Sequence, residues 1–69
     1  MIKVGSKYLH FKGIEVEILM IARDSETLEE LVVYRELSDG SIWVRPAKNW
    51  EDQIVRPGIN QPRFIEIKN

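Results

Sequence analysis

Two short runs carry the side chains best suited to recognition chemistry: Tyr34-Arg35, and Trp43-Val44-Arg45 a few residues later. A guanidinium beside an indole or phenol offers a planar apolar face together with fixed hydrogen-bond donors. That combination grips a base, a peptide or an acidic tail. Tyr34, Arg35, Trp43 and Arg45 are therefore the candidate binding residues, and Arg56 and Arg63 extend the patch if the last strand runs beside it.

Catalytic sets are incomplete by comparison. The chain has no cysteine and one histidine, His10, so a zinc site would need carboxylates for most of its ligands, a poor donor set for that ion. A nucleophile triad would need His10 beside Ser25, Ser38 or Ser41 and an acid, and no spacing supports it. Four glycines in separate turns make no phosphate-binding loop. Glu26, Glu29 and Glu30 bring carboxylates close together, but paired-acid catalysis needs a cleft that so short a chain can barely build. No catalytic residue, metal or cofactor is implied.

With 69 residues there is room for one domain and one core. Without disulfides, stability must come from packing or from a partner. Ten basic and eleven acidic side chains give a net charge of -1, which suits a water-facing surface and supplies no general attraction to a phosphate backbone. Nucleic acid is thus a partner that the net charge does not support. The absence of cysteine fits a cytoplasmic setting, and Gly5 and Lys7 interrupt the apolar run that a leader peptide needs. The longest apolar run, Ile18 to Ala22, is of strand length and far short of the ~20 residues of a membrane-spanning helix.

The elements that must position the candidate residues read as strands. Tyr8 to Phe11 alternates, and Lys12-Gly13 supplies a turn. Ile14 to Ala22 begins with apolar and charged residues in alternation and ends apolar on both faces, as where a small sheet curls over itself. Arg23 to Thr27 is a loop. Thr27-Leu28-Glu29-Glu30 also fits a capping box for a helical turn, but Leu31-Val32-Val33-Tyr34 is β-branched and aromatic, so a strand to Leu37 is the better reading. Asp39-Gly40 predicts a tight hairpin turn, Ile42 to Val44 the return strand, and Pro46 its end or a sheet edge. Asn49 caps one short helical turn over Trp50 to Asp52, Gln53 to Arg56 is extended, and Pro57-Gly58 and Asn60-Gln61-Pro62 are turns. Arg63 to Ile67 alternates as a last strand. The expected architecture is all-β: a small bent sheet of five or six strands, or an open barrel.

Alternation sorts the side chains. Residues 43 and 45 share a face, and Val44 takes the other. With Ile42 and Val44 in the core, Trp43 and Arg45 lie outside, beside whichever of Tyr34 or Arg35 crosses opposite them. The competing structural reading has Trp43 closing one end of the barrel and Arg45 paired with Glu29 or Glu36. Phe11, Ile18, Met20 and Phe64 are read as core, Trp50 as the seal of the barrel mouth, and His10 as an edge residue with a local hydrogen bond.

Lys7-Tyr8-Leu9-His10-Phe11-Lys12-Gly13, Ile21-Ala22-Arg23 followed by Ser25-Glu26-Thr27-Leu28-Glu29, then Val32-Val33-Tyr34-Arg35 and Trp43-Val44-Arg45-Pro46 resemble the bacterial domain-of-unknown-function family DUF1653. The resemblance runs from about Gly5 to Ile67. Val16 stands where that family favours an aromatic, Asp24 where histidine is common, and Trp50 where phenylalanine is. The resemblance implies a stand-alone β domain of SH3-like appearance and brings no established activity. The leading expectation is a binding module for a protein or peptide segment, with no membrane role. A homodimer that completes a marginal core through its edge strands is the second reading. A nucleic-acid binder, or a small hydrolase using Glu26, Glu29 and His10, ranks below both.

Overall fold

A computed structural model describes residues 2–68. The strands are β1 (Lys7–His10), β2 (Glu15–Arg23), β3 (Glu30–Glu36) and β4 (Ile42–Pro46), then a 3-10 turn at Ala47–Asn49, then β5 (Gln53–Arg56), β6 (Ile59–Pro62) and β7 (Phe64–Ile67). Five strands form one sheet in the order β4-β3-β2-β1-β7, and β5 and β6 form a separate hairpin. All pairings are antiparallel. The fold is thus all-β and bent, with β4 and β7 as free edges rather than a closed barrel.

The pairing register assigns the two faces. Tyr8 lies opposite Val16 and Glu66, and His10 opposite Phe64. Ile18 lies opposite Tyr34, Tyr34 opposite Trp43, and Val32 opposite Arg45. These side chains share the concave face, because directly opposed residues in an antiparallel pair project to the same side. Tyr8, Val16, Ile18, Val32, Tyr34, Trp50 and Phe64 form the core there.

Trp50, 0% exposed, is the centre of that core. Its ring stacks on Phe64 at 3.9 Å and 1° and meets Tyr8 and Tyr34 edge-on at 5.4 and 5.2 Å. The turn that delivers it spans Ala47–Asn49, three residues earlier than expected, so Asn49 ends it instead of capping it; there is no side-chain cap, and the Trp50 N–H bonds to the Ala47 carbonyl. The indole thus plugs the concave side of the sheet, and burial of so large a ring holds the turn in place.

Four sequence expectations are corrected. Ile42 and Val44 are not core: they are 58% and 56% exposed on the convex face. Met20 is 53% exposed as well. Its cause is a bulge in β2, where the register slips between Ile18 and Met20 and turns Met20 outward opposite Val33. The apolar end of β2 therefore lacks the two-sided cover its composition suggests. Finally, Asn60-Gln61-Pro62 is not a turn but most of β6, with Pro62 at the strand end opposite Gln53, where no ladder N–H is needed. Phe11 is only half-buried.

The loops are held by their own polar side chains. Asp24 accepts hydrogen bonds from the Glu26 and Thr27 N–H groups at 2.8 and 3.2 Å, closing the β2–β3 loop without a helical turn at Thr27. Asp39 accepts from the Ser41 N–H and hydroxyl at 2.9 and 2.7 Å. The loop between β3 and β4 is five residues long, Leu37 to Ser41, and Gly40 takes the left-handed φ of 76° that closes it. Among the described residues no helix is long and apolar enough to cross a membrane.

Candidate functional site

Curvature of the sheet brings its two edges towards each other. Four strand spacings of ~4.8 Å would hold β4 and β7 about 19 Å apart if the sheet were flat. The long Arg45 side chain of β4 and the Phe64 ring of β7 close this gap across the concave face, with the guanidinium 5.9 Å from the ring centroid. Between them is a cavity of 230 Å³. Trp43 and Arg45 of β4, Tyr34 and Glu36 of β3, Val16 of β2, and His10, Lys12 and Phe64 line it.

Each wall has a reason to be where it is. Trp43 is 51% exposed because β4 is an edge and nothing covers the indole beyond it. Its Nε1–H donates to the Ser41 hydroxyl at 2.7 Å, which pins the ring over the cavity mouth. Tyr34 is 8% exposed and belongs mostly to the core. Arg45 is half-buried, and its Nε finds no acceptor among the described residues. A guanidinium lying near a ring face keeps donors on its edge for another group.

His10 completes the polar wall. Its Nδ1 accepts the Lys12 backbone N–H at 3.2 Å, so in the neutral imidazole the proton sits on Nε2. Burial, followed by the positive charges of Arg63, Arg45 and Lys12, holds its pKa below the usual 6.5. Its ring packs edge-on against Phe64 at 5.0 Å. The lining thus carries Lys12, Arg45 and His10 as donors, with Glu36 as its acid.

Three of the four candidate binding residues, Tyr34, Trp43 and Arg45, converge on this cavity. Arg35 does not. It lies on the convex face opposite Glu17, with 3.9 Å between its Nη1 and the carboxylate. Arg45 does not pair with Glu29 either, because Glu29 holds Lys48 at 2.7 Å. Of the two outer arginines, Arg63 bears on His10, whereas Arg56 lies 5.7 Å from the Phe11 ring. Glu26 and Glu29 do not line the cavity with His10, so the concave site a hydrolase would need is not assembled from those three. Among the described residues no cluster of three or more His, Cys, Asp or Glu is arranged to hold a metal.

Sequence reasoning missed His10, Lys12, Glu36 and Phe64 as cavity walls. The alternation of β7 did place Phe64 inward, but pairing of β7 with β1 is a long-range event with no local signature. That pairing sets Phe64 beside His10.

Comparison with curated proteins finds no match. Among solved structures, the chain is similar to a crystal structure of a protein belonging to DUF1653 from Bordetella bronchiseptica, at 30% identity and a TM-score of 0.81, over 96% of this chain and 87% of that one. The sequence pattern described as "Protein of unknown function (DUF1653)" matches residues 6–66, nearly the whole length. Both the pattern and the backbone agree, and the chain belongs to the DUF1653 family.

Proposed function

We propose that the domain is a small binding module, acting in the cytoplasm, that holds a protein segment against its concave face, with Trp43, Arg45 and Tyr34 as contact residues. The observation that carries this reading is the half-exposed Trp43 beside an Arg45 with no carboxylate partner among the described residues, both opening on one cavity. Aromatic and arginine anchors in a pocket are the usual energetic centre of a protein contact. Nucleic acid fits less well, because a net charge of -1 gives no phosphate-backbone attraction. The test is capture from lysate by wild type, Arg45→Ala and Arg35→Ala. The reading expects partners lost with Arg45→Ala and kept with Arg35→Ala, whose side chain is on the other face; the reverse pattern overturns it.

A homodimer remains the second reading, favoured by one observation. The free edge β4 exposes Ile42, Trp43 and Val44 in succession, an apolar edge of the kind that invites strand pairing. Sedimentation across a concentration range decides it: a mass that stays monomeric at the highest concentration removes the dimer.

A further inference from the structure

Resting on the module reading, we propose that the group seated in the concave cavity is a peptide carboxylate, from an acidic side chain or a C-terminus, held between Arg45, Lys12 and His10 above the Phe64 ring.

The sign of the local field decides against a neutral or cationic guest. Lys12 and Arg45 line the cavity, Arg63 stands close enough to act on His10, and Glu36 is the acid on the lining. A molecule of nearly balanced total charge has therefore collected cations at this one concavity. The rings of Trp43 and Tyr34 with Glu36 could in isolation cage an ammonium group. In this cavity that ammonium would stand next to two or three like charges, whereas a carboxylate meets them as partners.

The donors are also unspent. Arg45 makes no ion pair among the described residues; its Nε is enclosed, so a guest would meet the terminal nitrogens of the guanidinium. An arginine that is half-buried and unpaired leaves a strong donor unused, and a planar carboxylate matches its fork. His10 has committed Nδ1 as an acceptor to the Lys12 N–H, which leaves Nε2–H as a donor.

Size sets the rest. At 230 Å³ the cavity falls below the ~300 Å³ at which pockets begin to hold drug-sized molecules, so it takes one residue-sized group rather than a whole nucleotide. Beside it the β4 edge is unpaired, so an extended peptide can lie along β4 while one residue turns into the cavity.

The test is an NMR titration of the labelled domain with four probes: phenylacetate, phenylacetamide, butylammonium and inorganic phosphate. Phenylacetate is expected to move the side-chain signals of His10 and Trp43 in a saturable way and to raise the His10 pKa, since an anion stabilises the imidazolium. Its affinity is expected to fall at least about tenfold in Arg45→Gln. Lys12→Gln, an exposed loop change, should weaken binding without disturbing the fold, and it keeps the test valid if Arg45→Gln unfolds. An equal response to phenylacetamide, a preference for butylammonium, binding of phosphate without phenylacetate, or no cavity response at all overturns the proposal. The module reading falls only if capture is indifferent to Arg45→Ala. Two peptides then separate the sources: one with an internal glutamate and an amidated end, the other neutral with a free C-terminal carboxylate.

Discussion

Phe64 shows how one side chain can serve both the core and the cavity, with Trp50 on its core side and His10 on its cavity side. The Trp50 ring is wholly enclosed and stacked on Phe64, whose ring also lies at the cavity under Arg45. Trp50→Ala should cost about 3–5 kcal/mol in urea or guanidinium unfolding, a large share of what a domain this small possesses. Retention of wild-type stability would mean that Trp50 is not the centre of the core. For His10 the effect depends on pH. Its folded pKa lies below 6.5, so the unfolded chain takes up the proton first. Stability attributable to His10 is therefore present above pH 6.5 and is lost as pH falls from there through the folded value. His10→Gln should flatten this part of the stability curve, and an NMR titration should find the imidazole pKa below the usual value. At this scale Trp50 was legible as a plug and His10 as holding a local hydrogen bond, while of the four side chains picked out for recognition Tyr34, Trp43 and Arg45 meet at one cavity and Arg35 does not. Which charges would surround His10 was not legible, because Arg63 and Arg45 reach it only across strands that are distant in sequence.

At the scale of elements, alternation gave the right pairs and the wrong side. Trp43 and Arg45 do share a face opposite Ile42 and Val44, but the concave face is theirs. Apolarity alone favoured burying Ile42 and Val44, and it failed because β4 is an edge strand whose convex face meets no second layer. The same applies to Met20, which the β2 bulge turns away from the core. A bulge leaves almost no mark in sequence, since one extra apolar residue in an apolar run looks like the run itself. The two faces can be told apart by mutation. Ile18→Ala should cost about 2–5 kcal/mol, whereas Val44→Ala should stay within about 0.5 kcal/mol, as for a surface site. Comparable losses at both positions would put Val44 back in the core. The polar loops were easier to read, because Asp39-Gly40 and the Asp24 loop close through bonds a few residues apart.

For the molecule as a whole, the all-β character followed from short strands and turn residues, and the family resemblance agreed with both the matched pattern and the Bordetella structure. The degree of bending was not readable. It arises from pairing of β7 with β1 and from Trp50 filling the concave side, both of them non-local. That bending creates the cavity. A net charge of -1 averages over the surface and conceals a local surplus of cations that only folding assembles. The central claim is that the concave face, not the convex one, is the binding surface. Chemical-shift mapping of the labelled domain against a partner segment recovered by capture tests it most directly. The expected result is perturbation centred on His10, Tyr34, Trp43 and Arg45; perturbation centred instead on Glu17, Met20 and Arg35 would contradict it.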